Sequence, residues 1–174
     1  ENFDKASLFA MKADVSVLKC AALGDDVGNV SWRAWIGTSD AIDFTDVYSA
    51  SADRESYALA WVQVPDDRDA VLAYGADDGS AAWLDGVALG TDPTCHGVYT
   101  DDLTYMVSLT EGWHRLLFKV RDHGGGWGLK ARFKTTAGAA MTDLVVSIAA
   151  DTPWYDDQGD GDHDGVGDVC DPTP

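Results

Sequence analysis

The stretch from residue 158 to residue 171, which reads Q-G-D-G-D-H-D-G-V-G-D-V-C-D, constrains this chain more than any other feature. Aspartates occupy positions 1, 3, 5, 9 and 12 of a twelve-residue loop, with glycine at position 6, and this is the ligand spacing of a calcium loop. Carboxylates this close repel one another unless a divalent cation lies among them. The alternative is a disordered acidic tail, but it does not explain why aspartates alternate with other residues along the loop. The predicted ligands are Asp160, Asp162, Asp164, Val166 (through its carbonyl), Asp168 and Asp171.

The same residues carry a family resemblance. The pattern Q-x-D-x-D-x-D-G-x-G-D-x-C-D, here Gln158 to Asp171, resembles one thrombospondin type 3 repeat. In that family the repeats occur in tandem, bind calcium and pair their cysteines with neighbouring repeats. The resemblance therefore implies a chain cut from a longer protein, with further repeats of the parent protein as partners and with the partner of Cys170 missing.

The charge balance excludes several kinds of partner. The formal net charge is −18, and no lysine or arginine follows Lys134. Such a field repels phosphate, so we expect no binding to nucleic acid or to an anionic membrane surface. No apolar run is long enough to span a membrane, and membrane insertion is not expected.

The cysteines and the calcium loop together indicate a compartment. Calcium loops of modest affinity suit extracellular calcium, which favours a secreted or cell-surface protein. There, a disulfide between Cys20 and Cys95 is reasonable, with Cys170 left for a neighbouring segment. The alternative is three buried thiols.

Hydrophobic patterning predicts an all-β fold. Short apolar or alternating runs are separated by turn sequences, among them Asp85-Gly86, a strong two-residue hairpin signal. This spacing is typical of a β-sandwich. The predicted strands are Ser7–Met11, Val15–Leu18, Tyr57–Val64, Ala70–Tyr74, Ala81–Leu84, Val87–Leu89, Tyr105–Leu109, Trp113–Arg121, Trp127–Thr135 and Leu144–Ile148.

A second resemblance covers about half of the chain. The segments G-A-D-D-G-S-A-A-W-L-D-G (Gly75–Gly86), L-T-E-G-W-H-R-L-L-F-K-V (Leu109–Val120) and G-G-W-G-L-K-A-R-F (Gly125–Phe133) follow in order. They resemble jelly-roll β-sandwiches of the galactose-binding-like and protective-antigen-type lectin-like kinds. The resemblance implies a jelly-roll, carbohydrate-binding-like domain over residues 1–150, followed by a linker and the calcium repeat over 151–174.

The Asp77-Asp78-Gly79 sequence has two interpretations. Taken by itself, it predicts a polar tight turn between buried strands, in which the glycine supplies a positive φ. In some sugar-binding relatives, an Asp-Asp pair at this place binds calcium, which in turn holds sugar hydroxyls. The resemblance thus implies Asp77 and Asp78 as ligands of a second Ca²⁺, with a later loop, residues 122–128, completing the site. This loop lacks the asparagine of the relatives.

Exposed aromatic residues beside charged groups would provide a sugar site. Trp127, after three glycines, forms the best candidate for a ligand-binding loop together with Arg121, Asp122 and His123; alternatively it folds back to cap the sandwich. Two other tryptophans, Trp61 and Trp83, are predicted to lie in the core. A loop is predicted around Trp32 and Trp35.

We expect no catalysis from this sequence. It contains no nucleophile elbow, P-loop, dinucleotide fingerprint or HExxH motif. The histidines are scattered, and none has zinc-ligand spacing to a second histidine or cysteine; the adjacent Cys95-His96 pair is a weak signal. Adjacent aspartates are so frequent that most of them mark turns rather than acid–base pairs.

These observations lead to a functional hypothesis. The chain is predicted to be a non-catalytic, extracellular, calcium-binding module that binds glycans or mediates adhesion within a larger protein. Two alternatives remain. The domain could be a structural cap or spacer of a calcium-stiffened stalk, or it could be an accessory domain of a secreted hydrolase.

Overall fold

The computed structural model describes residues 40–48 and 54–147 with their side chains, and the backbone of residues 7–11, 26–27, 30–31 and 33–36. These ranges contain thirteen strands and one short helix, α1 (Phe44–Tyr48). The strands are β1 (Ser7–Met11), β2 (Asp26–Val27), β3 (Val30–Ser31), β4 (Arg33–Ile36), β5 (Ile42–Asp43), β6 (Arg54–Val64), β7 (Arg68–Asp77), β8 (Ser80–Leu84), β9 (Val87–Asp92), β10 (Leu103–Leu109), β11 (Gly112–Asp122), β12 (Gly128–Thr135) and β13 (Val145–Ser147).

Two antiparallel sheets form the domain. The first has the order β4-β1-β6-β11-β8-β9, and β13 also pairs with β6. The second has the order β10-β7-β12-β5, while β2 and β3 form a separate ribbon. The longest pairing runs along the whole of β6 and β11, from Gly112 opposite Val64 to Asp122 opposite Arg54. This pairing brings the end of β11 to the same edge as the start of β6.

The core lies between the two sheets, because alternate residues of each strand face inward. In β11, His114, Leu116, Phe118 and Val120 are buried, as the alternation of that segment predicts. Across the core, the ring of Tyr74 from β7 packs against Phe118, with the ring centroids 5.0 Å apart. Buried side chains from both sheets thus form a single hydrophobic cluster. The predicted all-β sandwich is confirmed.

Most predicted strands are present, several of them longer than predicted. The main difference is β4, Arg33–Ile36, which lies where a loop was predicted around Trp32 and Trp35. The short elements β5 and α1 were not predicted, because a few residues carry no recognisable periodicity. The predicted strand Val15–Leu18 lies outside the described residues.

Within the described part of the chain, no helix combines the length and apolar character that a membrane span requires.

Candidate binding site and metal ligands

The Asp77-Asp78-Gly79 segment carries the chain from one sheet to the other. Asp77 ends β7 in the second sheet, and β8 begins at Ser80 in the first. The Asp77–Asp78 peptide bond is cis. The prediction that Gly79 supplies a positive φ is wrong, because it does not have that conformation. A Cβ atom there would lie 3.1 Å from the carbonyl oxygen of Asp92, so close backbone approach is what favours glycine.

The later loop lies against this aspartate pair, as the resemblance implies. The amide of Asp78 donates to the carbonyl of Arg121 at 2.8 Å, and the amide of His123 donates to Asp78 Oδ2 at 2.6 Å. Gly126 packs closely on the Asp77 carboxylate, which would have to move to make room for a Cβ atom at residue 126. The two segments, which are far apart in sequence, therefore form one loop cluster at the edge of the sandwich.

Negative charge is concentrated within this loop cluster. Asp78 is 6% exposed and Asp122 is fully buried, whereas Asp77 is half-buried. Desolvation raises the pKa of Asp77, and the neighbouring charges of Asp78 and Asp122 raise it further. The ionised form of Asp77 is thus disfavoured where no cation lies beside it.

A cleft of about 350 Å³ opens beside the loop cluster. Its floor is the outer surface of the first sheet, where Lys119 Nζ and Glu55 Oε2 form an ion pair at 2.8 Å. Its walls come from the two loops described above and from the chain after β9. The lining residues are Glu55, Asp78, Gly79, Ser80, Ala81, Thr91, Asp92, Pro93, Cys95, Lys119, Arg121 and His123.

The predicted role of Trp127 as an exposed ligand platform requires correction. Trp127 is 4% exposed and belongs to the core cluster. Its ring stacks on Tyr48 at a centroid distance of 5.5 Å and contacts Phe44 at 5.2 Å. The aromatic residues of α1 therefore cover the indole, and Trp127 caps the sandwich, which is the alternative that the sequence left open.

The other predicted ligand-binding residues divide into two groups. Arg121 and His123 are exposed and line the cleft, where both can reach a bound molecule. Asp122 is buried, and its Oδ1 accepts the amide of Gly124 at 2.7 Å, which shapes the loop rather than contacting the cleft. The tryptophans predicted to lie in the core, Trp61 and Trp83, are only half-buried, because their neighbours in β6 and β8 face inward instead.

A second cluster of metal-ligating groups lies at the end of β9 and on the chain that follows it. In the described residues, the sole group of three or more histidine, cysteine, aspartate or glutamate side chains with ligand atoms all within 4.8 Å of one another is Asp92, His96 and Asp102. His96 Nε2 is 2.9 Å from Asp92 Oδ2 and 3.3 Å from Asp102 Oδ2. We refer to these three residues as the rim cluster. The carboxylates of Asp77, Asp78 and Asp122 do not converge to the same degree.

Residues outside the rim cluster hold its members in place. His96 Nδ1 lies 2.9 Å from the carbonyl oxygen of Gly97, and the imidazole stacks on Tyr99. Asp92 Oδ1 accepts both the amide and the hydroxyl of Thr94, at 2.9 and 2.5 Å. Desolvation opposes ionisation of Asp92, but these hydrogen bonds and the contact with His96 lower its pKa. No zinc-type spacing to a second histidine or cysteine marks this cluster in the sequence, and its one local signal is the Asp-x-x-x-His spacing of Asp92 and His96.

A different histidine–carboxylate pair lies at the hairpin between β8 and β9. His114 Nδ1 is 2.7 Å from Asp85 Oδ2, and its Nε2 is 2.9 Å from the carbonyl oxygen of Thr110. Asp85 Oδ1 also accepts the amide of Arg115 at 2.7 Å. Asp85 and Gly86 both have positive φ, as the predicted two-residue hairpin requires. The carboxylate thus ties the hairpin turn to β11.

Several predicted residues lie outside the described ranges. These include Cys20, Cys170 and all six ligands of the C-terminal calcium loop, together with the predicted boundary at residue 151. Their roles stay predictions. Cys95 lies within the ranges and is an exposed free thiol, so the predicted disulfide with Cys20 is not present in this structure. The alternative of a buried thiol is also wrong for Cys95, because its residue is exposed.

Comparisons with known proteins give limited similarity. No family model matches the chain, and no curated protein matches its sequence. Among solved structures, the PA14 domain of the antifreeze protein MpAFP is 19% identical with a TM-score of 0.44, covering 55% of this chain and 53% of that chain. A β-glucosidase from Kluyveromyces marxianus, in complex with glucose, is 11% identical with a TM-score of 0.45, covering 78% and 16%.

A GH2 β-galacturonidase from Eisenbergiella tayi bound to galacturonate is 11% identical with a TM-score of 0.37, and the match covers 72% of this chain and 23% of that chain. The chain therefore spans about half of the PA14 domain structure and under a quarter of either glycosidase. At these TM-scores and identities, the similarity assigns neither a family nor a function.

Proposed function

We propose that this domain is a non-catalytic carbohydrate-binding module, and that it binds sugar in the cleft beside Asp78 with the help of a calcium ion held by Asp77 and Asp78. The observation that carries the proposal is the cleft itself. It places a buried carboxylate, two cationic side chains and apolar surface around a volume of about 350 Å³.

The cleft lining matches the chemistry of a sugar. Hydroxyl groups both donate and accept hydrogen bonds, so a sugar site needs carboxylates as acceptors and arginine or lysine as donors. Here Asp78 and Asp92 supply the acceptors, while Arg121 and Lys119 supply the donors. Ala81 contributes apolar surface on the floor. The volume falls near the lower end of the range for small-molecule sites, which suits one or two sugar rings.

A calcium ion would relieve the electrostatic cost of the aspartate pair. The pKa of Asp77 is raised by desolvation and by the charges of Asp78 and Asp122, so the cluster holds more negative charge than its surroundings stabilise. Calcium prefers carboxylate and carbonyl oxygens in flexible geometry, and both are present in these loops. Bound there, it would offer its remaining coordination positions to sugar hydroxyls at the cleft.

The proposal is tested by screening the domain on a broad glycan array in buffer with Ca²⁺, then after chelation, then after Ca²⁺ is restored. The best glycan is measured by calorimetry. We expect binding that requires Ca²⁺ and falls at least tenfold in Asp78→Asn, because the buried ligand loses its charge. Asp66→Asn is the matched control, since Asp66 also belongs to an adjacent aspartate pair but lies at the turn before β7, away from the cleft.

Two outcomes contradict the proposal. One is the absence of signal above background across the array in the presence of Ca²⁺. The other is binding that survives both chelation and Asp78→Asn. Variants of Trp127 do not serve this test, because a buried core indole affects binding through folding.

The C-terminal loop completes the proposal as a second calcium site of an extracellular protein. Its support is the spacing of its aspartates in the sequence. Calcium titration followed by tryptophan fluorescence tests it, because Trp154 is close to the loop in sequence. We expect a saturable change that is lost in Asp164→Ala; identical titrations of both proteins would contradict the site.

A further inference from the structure

We propose that the rim cluster, Asp92, His96 and Asp102, is a separate binding site for a transition metal ion of the zinc type. The site adjoins the cleft, because Asp92 belongs to both, but its ligands differ from those proposed for calcium. The inference does not depend on sugar binding.

The hydrogen bonds of His96 determine which nitrogen is available to a metal. A backbone carbonyl can only accept, so the contact between His96 Nδ1 and the Gly97 oxygen requires a hydrogen on Nδ1. A metal ion can then replace the proton on Nε2, the nitrogen that faces both carboxylates. Metal-binding histidines usually have this arrangement, with one nitrogen on the metal and the other donating to a carbonyl or carboxylate.

The separations within the cluster fit metal coordination. In a tetrahedral zinc site, metal–ligand distances of about 2.0–2.2 Å place two ligand atoms roughly 3.3–3.5 Å apart. Nε2 of His96 is already 3.3 Å from Asp102 Oδ2 and 2.9 Å from Asp92 Oδ2. The two carboxylate oxygens lie within 4.8 Å of each other, so the three ligand atoms need shifts of roughly 1 Å to surround an ion. Three protein ligands leave the fourth tetrahedral position to a water molecule.

The ligands are also held in place before an ion arrives. Thr94 fixes one oxygen of Asp92 with two hydrogen bonds and leaves the other oxygen directed at His96. Stacking on Tyr99 limits rotation of the imidazole, whose ring centroid lies 5.6 Å from that of Tyr99. Supporting contacts of this kind orient metal ligands and increase affinity.

The imidazole distinguishes the rim cluster from the many acidic clusters of this chain and determines the class of metal. Neutral imidazole binds zinc, copper, nickel and iron well, whereas calcium and magnesium prefer oxygen ligands alone. One nitrogen and two carboxylate oxygens with an open position suit zinc. We therefore expect Zn²⁺ to bind here in the presence of millimolar Ca²⁺.

The test is calorimetric titration of the full chain with Zn²⁺ in buffer containing millimolar Ca²⁺, which occupies the proposed calcium sites. We expect the wild type to bind one more equivalent of Zn²⁺ than His96→Ala, or to bind it at least tenfold more tightly. Asp102→Asn should show a similar loss. Asp101→Asn is the matched control, because it changes the adjacent aspartate in the same way and leaves all three ligands intact.

A second measurement keeps the outcome interpretable. Co²⁺ absorbs strongly in the visible when it is tetrahedral, so the wild type and Asp101→Asn should develop this absorption, while His96→Ala should not. Circular dichroism establishes that each variant is folded; if His96→Ala is not, then Asp102→Asn, whose side chain is partly exposed, decides the matter. Zn²⁺ titrations that are the same for the wild type, His96→Ala and Asp102→Asn overturn the site, whatever the glycan array shows.

Discussion

Two histidine–carboxylate clusters among the described residues, those of His114 and His96, have nearly the same local chemistry and different surroundings. In each, one ring nitrogen faces an aspartate oxygen and the other faces a backbone carbonyl. For His114 these partners are Asp85 at 2.7 Å and Thr110 at 2.9 Å. For His96 they are Asp92 and Gly97, both at 2.9 Å, and Asp102 adds a second carboxylate. Hydrogen-bond distances alone do not separate the two histidines.

The two histidines differ in the burial of the imidazole and in the number of carboxylates that face it. The His114 side chain is 8% exposed, and the other oxygen of its carboxylate binds the Arg115 amide, so this pair holds the hairpin to β11. The His96 side chain is 22% exposed and lies on the chain that borders the cleft, with two carboxylates facing one nitrogen. The comparison teaches that a buried imidazole with a single, fully used carboxylate partner stabilises the fold, even though that carboxylate, Asp85, is 33% exposed. A more accessible imidazole that faces two carboxylates can bind an ion.

The largest effect that tests this comparison is expected from truncating Asp85. Asp85→Ala removes both oxygens at once, leaves the buried His114 and the Arg115 amide without their acceptor, and places alanine at a φ of 51°. We expect a loss of about 2 kcal/mol in the free energy of unfolding, measured by urea denaturation, because a buried imidazole loses its acceptor and alanine takes a positive φ. His96→Ala, without added metal, should cost less than about 1 kcal/mol, because its ion pairs are accessible to water.

Asp85→Asn is the control for the backbone. Asparagine tolerates positive φ and keeps acceptor capacity, so it should cost clearly less than alanine. Equal losses of unfolding free energy in Asp85→Ala and His96→Ala would mean that both clusters are structural, which contradicts the distinction drawn between them.

Zinc should stabilise the protein through one cluster only. An ion that binds the folded state alone adds about 2.7 kcal/mol when its free concentration is 100-fold above Kd. We expect thermal or urea denaturation to show this gain for the wild type and for His114→Gln, but not for His96→Ala. A gain of the same size in all three proteins would place the bound zinc elsewhere in the chain.

The sequence predicted the fold better than it predicted the site. Alternation along β11 identified the inward face, and Asp85-Gly86 identified a hairpin, because both signals are local. The rim cluster depends on a loop that brings Asp102 back to His96, and no pattern in the sequence specifies that return. The glycine-rich context of Trp127 predicted a ligand-binding loop. Its burial depends instead on α1, and no clear pattern in the sequence predicts that helix.

The pH dependence of stability should differ between the clusters. The hydrogen bond to Asp85 raises the pKa of His114, with burial opposing it and the Thr110 carbonyl adding to it. A raised pKa means that this contribution is complete below the unfolded value of about 6.5 and is lost as the pH rises through the folded pKa. The gap in unfolding free energy between the wild type and His114→Gln should therefore narrow as the pH rises.

The Gly97 carbonyl and Asp92 also raise the pKa of His96, so without metal the difference in unfolding free energy between the wild type and His96→Gln should likewise narrow as the pH rises. The change should be smaller than for His114→Gln, because water screens the contacts of His96. A gap for His114→Gln that stays constant between pH 5 and 9 would show that the buried imidazole does not titrate in this range.

The smallest effect concerns Asp101, which neighbours the rim cluster and has a structural role. Its carboxylate pairs with Arg132 and with Lys134, and Arg132 is the main reason that its pKa falls to about 2. Asparagine can adopt the positive φ of 59° found at Asp101, so Asp101→Asn should cost about 0.5 kcal/mol of unfolding free energy at neutral pH.

Because the folded pKa of Asp101 is depressed, its contribution to stability is present above the unfolded value of about 3.9 and is lost as the pH falls towards 2. The contribution of Asp101 to the free energy of unfolding is thus lost towards low pH, whereas that of His114 is lost towards high pH. Acid titration of the Asp101→Asn variant therefore distinguishes the ion pairs of Asp101 from the contacts of His96 in the rim cluster. A penalty for Asp101→Asn that persists undiminished at pH 2 would show that its charge is not what stabilises this loop.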